Sequence, residues 1–427
     1  MDRGVLLLML LHEESLNLHK YQPRLTQPWL IFFIFASVTK YYDGMNRPFV
    51  YGYLAENENF IDRDEDRRHL KNFLGNGINV MLISPRRWGK SSLVKKTMQE
   101  MAEEDKTVRF CFVDAFKVHS EKDFYNAYAS AIVRGLSSSL EKGIELVKDY
   151  IQAFTPSITL KSDPLNAIEV DLSYKPIEKR GEDILNLPEQ LAVRRGLHVI
   201  VCIDEFQQLA RLPEWSRMEA TMRSVWQHHQ HVNYCLYGSK RHMMMDIFNN
   251  AANPFYRFGQ VLYLKKIAKV HWIPYIQDAF HKTGKHIDTV LAERICDTVE
   301  CHPWYVQQLS FFVWSDTLTE ATNEIFERQV QTLIDTNAPQ FETDINTLAP
   351  SQVGMLIAIA NSEEQLSAKL TVERYGLGGS QTIARNKKTL VEKDIVEYDA
   401  QRGYQFVDPV FCLWFKQQYL PGSVSEE

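Results

Sequence analysis

The chain has 427 residues, of which 45% are hydrophobic and 24% charged, and its formal net charge at pH 7 is -6. This composition is typical of a folded protein with several domains and excludes a disordered or fibrous chain. The acidic balance also excludes non-specific coating of nucleic acid or anionic membrane, so any DNA contact must be local.

The six cysteines contain no CxxC pair and no repeated spacing. This pattern argues against a disulfide framework or a zinc ribbon and favours a reducing, cytoplasmic location. Cys296, Cys301 and His302 are close in sequence, but they lack a fourth metal ligand. We interpret the two cysteines as packed thiols and predict no metal site there.

Residues 1–44 form an N-terminal extension of unusual composition. Its two apolar runs, Gly4 to Leu11 and Trp29 to Val38, are each shorter than the roughly 20 residues that a membrane helix needs. Asp2 also interrupts the basic start of a signal peptide. We therefore predict neither export nor a membrane partner, and more ordinary globular character begins at Met45.

From about Tyr51, apolar strand-like runs alternate with helical stretches. This alternation is typical of a parallel α/β sheet, and we predict such a core over residues 45–264. Prolines surround two alternating segments at about 155–185, which indicates an inserted β-hairpin. The predicted core strands are Asn79 to Ile83, Val108 to Val113, His198 to Ile203 and Val232 to Tyr237.

Strand-like runs disappear after Leu264, and the helical pattern predicts a lid over residues 265–347. Residues 348–420 then contain two helices followed by the hairpin-like segments Ile395 to Tyr398 and Tyr404 to Val407. Helices that end in a two-stranded hairpin predict a winged helix-turn-helix domain. Residues 421–427 form a short tail.

The segment Ser84-Pro-Arg-Arg-Trp-Gly-Lys-Ser91 fits the GxxxxGK[ST] phosphate-binding motif except at its first position. A strand enters this loop and a helix leaves it, so backbone N–H groups at the helix start can hold phosphate. Lys90 would reach the β- and γ-phosphates of ATP, and Ser91 would bind Mg²⁺. The predicted nucleotide-binding residues are Ser84, Pro85, Arg86, Arg87, Trp88, Gly89, Lys90, Ser91 and Ser92.

A second motif lies at the end of the apolar strand Val199 to Ile203, where two carboxylates follow. In this position Asp204 would order Mg²⁺ and its waters, and Glu205 would act as the general base toward the attacking water. The two motifs together predict an ATPase.

The loop Ser84 to Leu93 resembles the GPRRxGKTSL loop of the archaeal-type ATPases, which belong to the STAND branch of the AAA+ superfamily. Asp62 and Ser84 stand where that family usually has glycine, and Cys301-His-Pro303 stands where its lid usually has Gly-x-Pro. The resemblance covers most of residues 51–420 and implies a P-loop core, a helical lid and a winged helix. Further similar segments are Phe60 to Glu65, Ile203 to Gln207, Gly238 to His242 and Asn253 to Arg257.

The resemblance also implies roles for residues outside the two motifs. Ser239 would sense the γ-phosphate, although a strand-to-helix cap is an alternative. Arg257 would approach a phosphate in the same or a neighbouring subunit, or would form a structural salt bridge. Pro303, with His302, would line the adenine side of the cleft, or would simply begin a helix.

Basic residues occur in the predicted recognition helix of the winged helix. Arg385, Lys387 and Lys388 would contact DNA phosphates there, but in STAND proteins such a unit often serves for packing or regulation. Two functions therefore stay open. The first is an ATP-hydrolysing molecular switch that controls a protein partner or self-association, and the second is a DNA-binding protein with nucleotide-dependent structure or assembly. Glu205 favours the first, because stored nucleotide needs no general base.

Overall fold

The computed structural model describes five segments of the chain. For residues 159–162, 168–171 and 177–180 only the backbone is described. The predicted extension at residues 1–44 and the tail at 421–427 lie outside the described part. The described residues are 48–53, 59–136, 159–162, 168–171 and 177–420.

Helices and strands alternate through the first half of the chain. Short 3₁₀ helices at Ala115–Lys117 and Phe206–Arg211 follow the second and fifth strands. In chain order the main elements are α1 (Asp64–Gly75), β1 (Val80–Ile83), α2 (Lys90–Glu104), β2 (Val108–Asp114), α3 (Glu121–Leu136), β3 (Thr159–Ser162), β4 (Ile168–Asp171), α4 (Ile177–Arg195), β5 (His198–Asp204), α5 (Trp215–Trp226), β6 (Val232–Gly238), α6 (Arg241–Asn249) and β7 (Gln260–Tyr263).

Five of these strands form a parallel sheet in the order β2-β5-β6-β1-β7. The edge strand β7 is only partly buried, which explains why it has no clear apolar run in the sequence. Strands β3 and β4 pair with each other in antiparallel fashion and lie near the two alternating segments of the 155–185 insertion. The α/β class predicted from the sequence is confirmed.

Both faces of the parallel sheet are covered by helices. Along β5, Val201 packs into a cluster with residues of α3, α4 and α5, whereas its neighbour Cys202 packs into a cluster with residues of α1 and α2. This alternation follows from the two-residue period of a strand. Because each face has its own helical layer, the strands appear in the sequence as continuous apolar runs.

The second half of the chain is mainly helical. It ends in a two-stranded antiparallel hairpin and a final helix. Within the described residues, no helix is both long enough and apolar enough to cross a bilayer. The elements are α7 (Lys269–His281), α8 (Thr289–Thr298), α9 (Pro303–Asp316), α10 (Asn323–Asn346), α11 (Pro350–Ala360), α12 (Lys369–Tyr375), α13 (Ser380–Glu392), β8 (Val396–Asp399), β9 (Gly403–Phe406) and α14 (Pro409–Tyr419).

The helices of the lid and those of the winged helix share one hydrophobic cluster. Helix α10 joins them, because the ring of its Phe341 lies 5.2 Å from Phe411 and 5.7 Å from Trp414 of α14. The domain limits at 264/265 and 347/348 stay predictions.

Candidate nucleotide-binding site

The site lies at the carboxyl edge of the parallel sheet. Strands β5, β6 and β1 are neighbours in the sheet, so the residues at or just beyond their carboxyl ends meet. Asp204 ends β5, Ser239 follows β6 and Ser84 follows β1. This is the edge at which open parallel sheets bind ligands.

The predicted phosphate-binding loop joins β1 to α2. Gly89 precedes α2 with a φ of 86°, a left-handed conformation that glycine adopts without strain. Ser84 is buried and has a negative φ, so a serine fits where the family pattern has glycine. Asp62 is different, because its φ is 56° and a non-glycine residue is strained in that conformation.

Side chains of the two motifs contact each other across this edge. The Ser91 hydroxyl donates to Asp204 Oδ2 over 2.8 Å, and Lys90 Nζ lies 3.5 Å from Glu205 Oε1. The Ser239 hydroxyl donates to Glu205 Oε2 over 2.7 Å. The fold thus brings together five of the six predicted catalytic and metal-binding residues, all except Arg257, although they come from three separate parts of the chain.

Burial and local charges act differently on the two carboxylates. Burial raises the pKa of Glu205, but the positive charge of Lys90 and the hydrogen bonds from Ser239 and Gln207 outweigh it, so this pKa lies below its usual value. Burial dominates at Asp204 and raises its pKa, although Ser91 and Lys90 oppose that shift. Asp204 therefore lacks full electrostatic compensation within the protein.

The oxygen atoms at this position suit a magnesium ion. Mg²⁺ prefers oxygen ligands, usually one or two from protein side chains with the rest from water and phosphate. The Ser91 hydroxyl and the Asp204 carboxylate are adjacent and have this chemistry. These two residues would hold the ion, as the sequence predicts.

Two further residues contact the predicted base and sensor. The Gln207 side chain is fully buried, and its Nε2 donates to Glu205 Oε2 over 2.5 Å. Arg86 Nε donates to the Ser239 hydroxyl over 3.4 Å. Gln207 has no predicted role in the sequence; its place two residues after Glu205, in a segment that resembles the family, is the only signal for it.

A cavity of about 200 Å³ adjoins Gly89 to Ser92 on the lid side of the loop. Pro303 lines it, whereas His302 lies outside this lining and faces the rings of Trp88 and Tyr305 at 6.3 and 4.8 Å; the predicted role of Pro303 beside adenine stays a prediction. Six aromatic side chains line the rest of the wall, and such rings suit a flat nucleobase. Its aromatic residues are Tyr51, Tyr53, Phe60, Trp88, Trp272 and Trp304, of which the sequence assigns only Trp88 to the nucleotide site.

Arg63 fixes the position of the phosphate-binding loop from behind. Its guanidinium is buried and donates to the carbonyl oxygens of Trp88 over 3.1 Å and Lys265 over 2.5 Å. It also pairs with Asp66 at 3.2 Å. Arg63 belongs to the Phe60 to Glu65 segment, but only the fold reveals that it ties the loop to the start of the lid.

A larger cleft of about 800 Å³ separates the phosphate-binding loop from the winged helix. The segment that begins at Ser239 lines it and crosses to the winged helix. Lys240 Nζ lies 3.7 Å from Asp394, and Arg241 forms a 2.9 Å ion pair with Glu397. Tyr305 donates to Asp408 over 2.6 Å on the lid side. The candidate sensor is therefore connected directly to residues that contact the winged helix.

The remaining predicted residues lie apart from this cluster. Arg257 is exposed, has a φ of 54°, and packs over the Tyr256 ring at 5.1 Å. Its role toward a phosphate stays a prediction. On α13, Arg385 and Lys388 are exposed and Lys387 is half-buried, 5.2 Å from the Tyr404 ring.

Comparisons with known proteins agree with this architecture. Residues 339–417 match a family model described as a probable winged helix domain. A search of curated proteins by sequence finds no match. The fold is similar to the Walker-type ATPase paby2304 of Pyrococcus abyssi, with a TM-score of 0.61 and 16% identity over 85% of this chain and 97% of that chain.

A second similar structure is that of the Aeropyrum pernix ORC2 protein in its ADPNP-ADP complexes. Its TM-score is 0.52, with 14% identity over 87% of this chain and 98% of that chain. At such low identity the likeness establishes the fold rather than the activity. The chain has the fold of the AAA+ P-loop ATPases followed by a C-terminal winged helix.

Proposed function

We propose that this protein binds ATP with Mg²⁺, hydrolyses it, and uses its nucleotide state to control a partner interaction. One observation carries the proposal: Lys90, Ser91, Asp204, Glu205 and Ser239 converge at the carboxyl edge of the sheet. Isolated buried charges are costly, so such a convergence is expected where a charged ligand binds.

Each side chain has a distinct task in this proposal. Lys90, now paired with Glu205, would turn to the β- and γ-phosphates when they enter. Ser91 and Asp204 would hold Mg²⁺, which neutralises phosphate charge when bound. Glu205 would accept the proton of the attacking water, and its hydrogen bond from Ser239 would keep the carboxylate aimed at that water.

The route from nucleotide to partner would run through the segment 239–242. Ser239 contacts the candidate base, while the next residues pair with Asp394 and Glu397 of the winged helix. Partly exposed ion pairs contribute only about 0–1 kcal/mol each. Such contacts are weak enough to break when a phosphate displaces Ser239. A change in nucleotide would therefore change the position of the winged helix relative to the α/β core.

A second candidate is a DNA-binding protein whose P-loop domain governs nucleotide-dependent structure or assembly. The exposed guanidinium of Arg385, which forms no ion pair among the described residues, is the observation that favours it. However, the hydrogen-bonded and buried arrangement around Glu205 suits hydrolysis, which storage of nucleotide does not need.

The test measures ATP affinity and turnover of the parent protein and of Lys90→Ala, each with and without duplex DNA. Loss of a charge-assisted contact worth about 1.5–3 kcal/mol should weaken ATP binding roughly 10- to 100-fold. Lys96→Ala, a more exposed lysine of the same helix, is the matched control and should bind ATP normally. No ATP binding by the parent, or normal binding by Lys90→Ala, contradicts the proposal, and turnover that requires DNA favours the second candidate.

A further inference from the structure

The turn between α8 and α9 holds two cysteines that contact each other. Cys296 is fully buried in α8, and Cys301 is half-buried just beyond the helix. The Cys301 N–H donates to the Cys296 carbonyl over 2.7 Å, and each thiol shifts the pKa of the other. Standard backbone lengths then place the two Cα atoms at most about 6.6 Å apart, within the span of about 4.4–6.8 Å that disulfides need.

The two thiols differ in reactivity. The hydrogen bond from Cys296 lowers the pKa of Cys301 below its usual value, against the effect of burial, and the charges of Lys269 and Lys266 add to that lowering. The same hydrogen bond, together with burial, raises the pKa of Cys296. Because the thiolate is the reactive form, Cys301 is the thiol that would react first with an oxidant.

The other four cysteines are a useful contrast, since all six lie within the described residues. Cys202 and Cys235 are also neighbours, as paired residues of β5 and β6, but both are fully buried. Cys111 is buried too, and burial raises the pKa of Cys412. Accessibility and a lowered pKa occur together only at Cys301.

We propose that Cys296 and Cys301 form a reversible disulfide when the protein meets a peroxide. In the first step the Cys301 thiolate attacks one oxygen of hydrogen peroxide, the O–O bond breaks, and the products are Cys301 sulfenic acid and hydroxide. In the second step the Cys296 sulfur attacks that of Cys301, and the sulfenic oxygen leaves as water with the Cys296 proton. Overall, two thiols lose two electrons and two protons, and the peroxide is reduced to two waters.

The pair is placed where such a bond would affect the nucleotide site. Cys301 directly precedes His302, whose ring lies 6.3 Å from Trp88 of the phosphate-binding loop, and Pro303 lines the aromatic cavity. Disulfide formation shortens the sulfur–sulfur separation to about 2 Å, which changes the position of the start of α9, with His302 and Pro303, relative to Trp88. On the proposed function, which this step requires, oxidation weakens ATP binding at least about threefold.

The first experiment exposes the full native chain to hydrogen peroxide, alkylates the remaining thiols and maps the peptides by mass. The expected product is a Cys296–Cys301 disulfide that dithiothreitol reverses, with Cys202 and Cys235 still reduced. In Cys296→Ser, oxidation should stop at a Cys301 sulfenic acid that dimedone traps. Cys301→Ser, which lacks the more accessible thiol, should form no disulfide. Cys412→Ser is the control and should oxidise like the parent. Two free thiols at 296 and 301 after treatment, or a bond that forms only after denaturation, overturns the proposal.

The second experiment compares the ATP dissociation constant of the oxidised and reduced parent, with Cys301→Ser as the unresponsive control. A rise on oxidation in the parent alone supports the coupling to the nucleotide site. An unchanged dissociation constant in a protein whose disulfide has formed overturns that coupling. A disulfide in a protein that binds no ATP in either state refutes the proposed function but leaves the thiol chemistry standing.

Discussion

Charged residues occupy two very different settings in this molecule. At the carboxyl edge of the sheet, Lys90 is buried and Glu205 is largely so, and each contacts other groups of the candidate site. On α13 of the winged helix, Arg385 and Lys388 are exposed, and the contact of Lys388 is a 3.8 Å pair with Glu392 one helical turn away.

The difference shows which charges carry information about function. Removing a charge from water costs several kcal/mol unless partners compensate, so a converging set of buried charges points to a ligand. An exposed charge on a helix costs almost nothing and is compatible with DNA, with a protein partner or with solvent. The nucleotide site can therefore be argued from its structure, whereas the winged helix leaves its partner open.

The largest effect is expected for Glu205→Gln, which keeps the shape of the side chain but removes the base. ATP should still bind, while single-turnover hydrolysis should fall about 10²- to 10⁴-fold, the usual contribution of a positioned general base. The exposed Glu364→Gln is the control and should hydrolyse ATP normally. Parental rates in Glu205→Gln would show that Glu205 is not the base, and the contrast between buried and exposed charges would lose its main support.

A second buried glutamate sharpens the comparison, because Glu219 on α5 has no cationic partner among the described residues. Burial, with help from Asp246, raises its pKa to about 7, and its Oε1 accepts no hydrogen bond in the described structure. The folded state therefore holds this proton more tightly than the unfolded state, whose pKa is about 4.5. The contribution of this proton to the free energy of unfolding is complete below pH 4.5 and is lost as the pH rises through 7.

Glu219→Gln should remove this dependence. Relative to the parent, its free energy of unfolding should increase between pH 4.5 and 7, by up to about 3 kcal/mol. Urea unfolding at several pH values measures the difference, with Glu364→Gln as the exposed control. A constant difference across this range would mean that Glu219 is not protonated in the fold.

A smaller effect is expected where the two regions meet. Asp394→Asn removes the carboxylate that faces Lys240 and His242 at 3.7 Å, and a partly exposed ion pair contributes about 1 kcal/mol. The rate of backbone hydrogen exchange in β8 and β9 of the winged helix should therefore increase about fivefold. Glu392→Gln is the matched control, since its partner Lys388 lies in the same helix. Equal exchange rates in both variants would show that the contact of Asp394 with the segment 239–242 does not stabilise the winged helix.

The smallest effect on ATP turnover, less than about twofold, is expected when Arg385, Lys387 and Lys388 are all changed to alanine, because exposed charges rarely change the chemistry of a distant site. The same variant tests the alternative function. If these residues contact DNA, the slope of log affinity against log salt should flatten by about one unit per lost contact. An unchanged slope, or no DNA binding by the parent, favours a regulatory winged helix.

Local patterns were sufficient for much of this architecture. The loop Ser84 to Ser91 and the carboxylates Asp204 and Glu205 could be recognised because a few consecutive residues define them, together with the apolar runs that precede them. The α/β class and the winged helix followed from periodicity, and both agree with the observed topology and with the comparisons. The partly buried edge strand β7 had no such pattern and was not predicted.

Long-range packing decided the rest. Arg63 contacts the carbonyl of Lys265, 202 positions away in the chain. Lys240 likewise lies 3.7 Å from Asp394, which is remote from it in sequence. The hydrophobic core shared by the lid and the winged helix places Asp394 next to the segment 239–242. Motifs depend on neighbours along the chain and so can be read from the residues, whereas contacts between distant segments depend on how whole helices and strands pack, and this only the folded chain reveals.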